Sequence, residues 1–274
     1  MTSALRVSLI ISTYNAADYL ARVLAAVGRQ TWLPEEVLLA DDGSGEDTRK
    51  VFADWAAKQA RGTQHVRQPH EGFRKASILN RAIARARADY LVFLDGDMIP
   101  HPRFLADHKR LARGGAFVQG HRVLIGEQAA KWFGLDSLHR DRRRACWQCQ
   151  LSGWKHAFRW PYPLVRRRCD LRGVRGCNLG VWRADMVRIN GYNEAFVGWG
   201  REDSEMAARL MNAGTRRLDV RGWAICYHLW HPPASRANLP ANDQVLQTAL
   251  AQSAAWCDSG LSAHLPKTAG GGSV

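Results

Sequence analysis

Apolar runs and amphipathic stretches alternate through the first hundred residues. The run at 7–11 predicts a buried strand, and Ser12-Thr13-Tyr14-Asn15 breaks it. Leu20, Val23, Leu24 and Val27 recur at i, i+3, i+4 and i+7, which marks one face of a helix. Residues 36–40 predict a second strand, ending in Asp41-Asp42-Gly43-Ser44. Val51, Phe52 and Trp55 mark another helix, and Ile78, Leu79, Ala82 and Ile83 a third. Tyr90-Leu91-Val92-Phe93-Leu94 then predicts a strand closing on Asp95-Gly96-Asp97. Farther along, Met206, Ala207, Leu210 and Met211 mark a helix behind an acidic cluster. Val245, Leu246, Ala249 and Leu250 suggest a closing helix, and residues 267–274 read as a disordered end.

Strand–helix alternation with apolar strands predicts an α/β fold around a mostly parallel sheet flanked by helices. Ligands of such sheets bind beyond the carboxyl ends of the strands. Three polar clusters fall there: Thr13-Tyr14-Asn15, Asp41-Asp42 and Asp95-Gly96-Asp97. Two carboxylates at i and i+2 on a strand end are costly to hold together unless something neutralises them. A hard divalent cation would, and such ions take carboxylates together with substrate phosphates. The pattern points to a metal–diphosphate site and a nucleotide-activated donor.

Composition adds partners rather than fold. The chain has 274 residues, 46% of them hydrophobic and 23% charged, ordinary values for a globular protein. Thirty-nine Lys and Arg against 25 Asp and Glu give +14, which favours polyanionic company. No secretory leader and no apolar run near ~18 residues is visible, and the six cysteines lack the density of a disulfide scaffold. A cytoplasmic setting is the expectation.

Ile10-Ile11-Ser12-Thr13-Tyr14-Asn15, Leu39-Ala40-Asp41-Asp42-Gly43-Ser44 and Leu94-Asp95-Gly96-Asp97 together resemble the family-two glycosyltransferases of the GT-A fold. The resemblance covers roughly residues 6 to 232. It implies a Rossmann-like GT-A domain and inverting sugar transfer from a nucleoside diphosphate to a hydroxyl, with Mn²⁺ or Mg²⁺. Carried over, Thr13, Tyr14, Asn15, Asp41 and Asp42 are nucleotide contacts, Asp95 is a ribose or metal contact, and Asp97 is the leading metal ligand. Ser12-Thr13 stands where the family often has a proline. Gly72-Phe73-Arg74-Lys75-Ala76 resembles the family's basic segment, so Arg74 or Lys75 would offset diphosphate charge. Residues 1–100 would form the donor half, 101–233 the acceptor half of the same domain, and 234–274 a closing helix and tail.

Gly198-Trp199-Gly200-Arg201-Glu202-Asp203 resembles a stretch of galactosyltransferase-like and chondroitin-polymerase-like enzymes. By that resemblance Asp203 is the general base, Glu202 orients the acceptor, and Trp199 and Gly200 line a sugar site. Carboxylates also suit a helix N-terminus on dipole grounds alone, and that dipole lowers their pKa. A working base here needs desolvation or its acidic neighbour to restore proton affinity. In Cys226-Tyr227-His228-Leu229-Trp230-His231, the resemblance favours His228 as a metal ligand, with His231 the competitor. Gly176-Cys177-Asn178-Leu179-Gly180 resembles the sugar-pocket strand, making Asn178 a candidate donor contact.

Residues 138–175 carry eleven Lys and Arg against two Asp, a net +9, interleaved with Trp147, Trp154 and Trp160. This suits an anionic membrane surface or a phosphorylated glycolipid acceptor. The composition also fits single-stranded nucleic acid. Three carboxylate clusters near the ligand would repel bare phosphates, so no nucleic acid is expected. Cys146, Cys149, Cys169 and Cys177 raise a four-cysteine zinc site, although the second pair is spaced too widely for the usual pattern. A nucleotidyltransferase would normally show a basic glycine-rich loop after the first strand, absent from Ser12–Asp18. A retaining GT-A enzyme is the nearer rival. The expected acceptor is a growing lipid-linked or surface polysaccharide, such as lipopolysaccharide core.

Overall fold

A computed structural model describes residues 5–135 and 137–266. The first part runs β1 (Val7–Thr13), α1 (Ala17–Gly28), β2 (Glu36–Asp41), α2 (Glu46–Ala56), β3 (Gly62–Arg67), α3 (Lys75–Arg85) and β4 (Tyr90–Asp95). Next come β5 (Met98–Pro100), α4 (Phe104–Leu111), β6 (Ala116–Gln119), β7 (Arg122–Ile125), α5 (Glu127–Ala130) and α6 (Leu138–Trp147). β8 (Leu151–Ser152), β9 (Leu164–Arg168), β10 (Asn178–Trp182) and α7 (Arg183–Arg188) follow. α8 (Glu202–Asn212), β11 (Arg216–Arg221), β12 (Cys226–His228) and α9 (Leu239–Ala251) close the chain.

Eight strands form one sheet in the order β3-β2-β1-β4-β10-β6-β11-β9. β3, β2, β1 and β4 are parallel, β10 opposes both β4 and β6, and β11 runs with β6. β9 opposes β11 at the far edge. The sheet is therefore mostly parallel, as expected, and it continues through both halves of the chain.

The strand pleat divides the core. Val7, Leu9, Ile11, Val37, Leu39, Val92 and Leu94 face one side, where Leu20, Val23, Leu24 and Val27 of α1 cover them. Ile10, Leu38, Ala40, Leu91 and Phe93 face the other, under Ile78, Leu79, Ala82 and Ile83 of α3 and Met206 and Leu210 of α8. Helices on both faces explain why these strands read as unbroken apolar runs.

A smaller sheet, β5-β12-β7-β8, stands beyond the carboxyl end of β4. β12 pairs antiparallel with β5, setting His228 opposite Met98. After α9 the chain docks again: Leu261 is fully buried, its N–H donates to Asn190 O at 2.8 Å, and His264 meets Glu194 at 2.7 Å. The chain is thus folded as far as residue 266, and residues 267–274, expected to be a disordered end, lie outside the described residues. No helix among the described residues is long and apolar enough to cross a membrane.

Candidate active site

β4 ends on Asp95, and Gly96 N–H donates to Ser12 O at 2.7 Å, turning the chain into β5. The β5–β12 pairing extends one residue, through Leu229 N–H to Asp97 O at 2.9 Å. Asp97 therefore meets the end of β12. Its Oδ2 lies 3.5 Å from His228 Nε2 and 3.1 Å from His231 Nε2. Burial would raise the Asp97 pKa, but the two imidazoles outweigh it and hold the carboxyl well below the usual range. The bond to Asp97 in turn raises His231.

One ligand atom from each of Asp97, His228 and His231 falls within 4.8 Å of the others. Among the described residues this is the only such group of three. Asp97 Oδ1 is buried with no hydrogen-bond partner. A carboxylate oxygen and two imidazole nitrogens converging beside an orphaned oxygen fit a borderline divalent cation such as Mn²⁺. The two histidines are not alternatives here, since both reach Asp97.

Asp95 is turned the other way. Its Oδ1 accepts from Ser12 Oγ at 2.6 Å and from Lys75 Nζ at 2.6 Å. Lys75 opens α3 and reaches under the strand ends, where Asp95, Asp203 and Glu202 together raise its pKa against the effect of burial. Arg74 instead gives its backbone N–H to Asp42 at 2.9 Å, with its guanidinium 3.7 Å from Glu71 at the rim. Of the two basic residues expected to offset the diphosphate, Lys75 is the one inside.

Glu202 and Asp203 begin α8. Gly176 N–H donates to Asp203 Oδ2 at 2.6 Å, while Oδ1 is buried without a partner. Glu202 accepts from Gly200 N–H at 3.1 Å. Burial raises both carboxyls; Glu202, pressed further by Asp203, is lifted to about 7. The turn before them uses left-handed backbone at Gly198 (φ 77°), Gly200 (φ 108°) and Arg201 (φ 76°). Glycine adopts that region freely, whereas Arg201 does so at a cost, and its side chain pairs with Asp243 of α9. Trp199, between the glycines, is 41% exposed with Arg236 5.5 Å above its ring.

The remaining expected contacts divide by exposure. Tyr14 is open and stacks on His70, ring centroids 4.4 Å apart at 13°. Asn15 Oδ1 accepts Gly45 N–H at 2.9 Å, joining the ends of β1 and β2. Thr13 is buried with its hydroxyl unpartnered. Asp41 is fully enclosed by His65 and Ser44 N–H, each at 2.8 Å. Asp42 accepts Gln68 at 2.6 Å and Arg74 N–H. Asn178 is buried, its amide bonding His108, His121 O and Ala224 O. Asp41 and Asn178 thus hold hydrogen bonds within the framework. The cysteines are not gathered either: Cys177 is buried, Cys146, Cys149 and Cys169 are exposed, and all are free thiols.

The sequence of the chain matches the family described as Glycosyl transferase family 2 over residues 8–168. The chain belongs to that family. A second match, to the N-terminal domain of galactosyltransferase, covers residues 161–232 of this glycosyltransferase. A chondroitin synthase of Escherichia coli is 27% identical over 241 residues, covering 81% of this chain and 34% of its own length. A hyaluronan synthase of Pasteurella multocida is 34% identical over 237 residues, 81% of this chain and 24% of its own. The chain spans about a third of the first relative and about a quarter of the second. In fold it resembles a mannosyltransferase from Pyrobaculum calidifontis in complex with GDP-Man and Mn²⁺, with TM-score 0.56, 20% identity, and coverage of 91% of this chain and 74% of that one. The glycosyltransferase thus has the GT-A fold read from its sequence.

Two residues of this family-two enzyme escaped the sequence reading. Arg122, at the start of β7, and Arg175, next to Gly176, both place positive charge in the field of Asp203. Arg175 lay within the basic stretch, where nothing distinguished it from ten other basic residues; Arg122 had only its neighbour His121 to mark it.

Proposed function

We propose that this chain catalyses metal-dependent, inverting transfer of a hexose or hexosamine from a nucleoside-diphosphate sugar, UDP-linked, to a hydroxyl of a surface glycan or glycolipid such as lipopolysaccharide core. The observation that carries it is the meeting of three groups at one sheet end: Asp97 with His228 and His231, Lys75 on Asp95, and the Glu202–Asp203 pair. A divalent cation held by Asp97, His228 and His231 would offset the charge of the donor diphosphate.

Asp203 is the base. Gly176 N–H fixes Oδ2, leaving the partnerless Oδ1 to take the acceptor hydroxyl proton. The acceptor oxygen bonds the anomeric carbon as the bond to the diphosphate oxygen breaks on the opposite face, so the configuration inverts. Glu202 orients the acceptor, and Trp199 offers its half-exposed ring to a sugar face. Lys75, Arg122 and Arg175 keep the acidic pocket from repelling the anionic donor. Tyr14 and Asn15 lie at the nucleotide end. Relatives named for chondroitin and hyaluronan support a glycan acceptor. The work would take place in the cytoplasm, where nucleotide sugars are available.

The test is a thermal-shift series with UDP, GDP, ADP and CMP, each with Mn²⁺, with Mg²⁺ and with chelator. One nucleoside diphosphate should raise Tm by several degrees only with metal, and Asp97→Asn should abolish that shift. No shift with any nucleotide would sink the donor site, and a product retaining the donor's anomeric configuration would sink inversion.

A further inference from the structure

α6 has two unlike sides. Leu138, Asp141 and Ala145 turn inward, and Asp141 accepts Gly134 N–H at 2.9 Å. Arg140, Arg143, Arg144 and Trp147 stand outward at i, i+3, i+4 and i+7, a single exposed stripe on which Arg144 also lies 4.3 Å over the Trp132 ring. Trp147 ends the stripe with 85% of its surface in water. Phe158 and Trp154 continue it: Arg142 lies 5.3 Å over the Phe158 ring, and Trp154 meets Phe158 edge-on at 6.5 Å. An open hollow of about 860 Å³ runs along this patch, lined by Arg140, Arg143, Arg144, Trp147 and Phe158 among others. None of the carboxylates or histidines of the active site lines it.

We infer that the outer face of α6, with Trp147, Phe158 and Trp154, is a docking surface for an anionic lipid bilayer. The exposed arginines and aromatic rings select that occupant. Three arginines on one helical stripe meet a plane of negative charge together, and an amphipathic indole settles at the headgroup level. With no crossing helix among the described residues, the contact is peripheral. An acceptor glycan would have to reach Asp203, which lies outside the patch. The inference does not depend on the donor or the transfer chemistry, which the nucleotide thermal shift reads separately.

The experiment is co-sedimentation of the full chain with phosphatidylglycerol/phosphatidylcholine vesicles, phosphatidylcholine vesicles and a single-stranded oligonucleotide, alongside tryptophan emission. Binding should require the anionic lipid, fall with salt and shift emission to the blue. R140Q/R143Q/R144Q should weaken binding on the order of a hundredfold, and R140K/R143K/R144K should retain it. Trp147→Ala should lose part of the emission shift. All variants should keep the wild-type melt and metal-dependent nucleotide shift. Equal binding to neutral vesicles, no vesicle binding, or a Gln variant that binds like wild type would overturn the inference. Oligonucleotide binding without vesicle binding would also overturn it, reassigning the surface to nucleic acid.

Discussion

Asp203 and Glu202 sit where a helix dipole should make carboxylates more acidic, yet burial makes both less so. Desolvation wins because the pocket offers the pair few hydrogen bonds, and Asp203 Oδ1 has none. A base must be deprotonated to act, so transfer should fall as pH drops through the Asp203 titration, which burial raises above the usual carboxylate range. We expect kcat/KM to rise with pH and then level off once Asp203 is ionised. Glu202→Gln should leave that acid limb in place, because Glu202 still holds its proton when Asp203 ionises and the charges bearing on Asp203 are Lys75, Asp95 and Arg122. Asp203→Asn should lower turnover by about 10²–10⁴-fold at every pH while leaving the metal-dependent nucleotide shift intact. A pH-rate series on the three proteins checks this; wild-type rates for Asp203→Asn would remove Asp203 from the role. The pair was legible in sequence as an acidic cluster before an apolar helix. Its raised proton affinity was not, because desolvation depends on what the fold stacks above it.

At the scale of elements, legibility follows burial. α1 was readable to the residue and α3 but for the buried Ala76 and Asn80, because each lays one apolar face on a two-sided sheet. β3 and β9 were not: they are the sheet edges, and β9 is almost wholly exposed, so neither needs an apolar run. β11 hid for another reason, since its Arg217 is buried through Asp219 and Asp170 rather than replaced by an apolar residue. The stretch from Gly176 into β10 was read as a pocket strand; Gly176 N–H meets Asp203, while the Asn178 amide bonds His121 O and Ala224 O. A Cβ at Gly176 would collide with Asp203 Oδ1. Gly176→Ala should therefore displace that carboxylate and reduce transfer by about tenfold or more, with Tm within a few degrees of wild type. Parallel rate and melting measurements decide it, and unchanged transfer would show that this contact does not set the base.

Across the whole molecule, the C-terminal segment holds the approach to the Gly198 turn in place. Leu261 packs into the core under α3 and α8, and residues 261–264 bond Asn190 and Glu194 on the approach to the Gly198 turn. Leu261→Ala should cost about 2–5 kcal/mol, read as a Tm lower by several degrees. An unchanged melt would mean the segment does not pin the fold. The sequence by itself determined the alternating core, the three polar strand ends and the basic, tryptophan-bearing stretch, because apolar periodicity and local charge are properties of neighbouring residues. Only the tertiary structure decided that His228 and His231 both reach Asp97, that Lys75 joins Asp95 to the acid pair, and that Asp41 and Asn178 turn inward. Those outcomes depend on the β5–β12 register and on what each side chain meets across the fold, and residues far apart in the chain carry no local trace of one another.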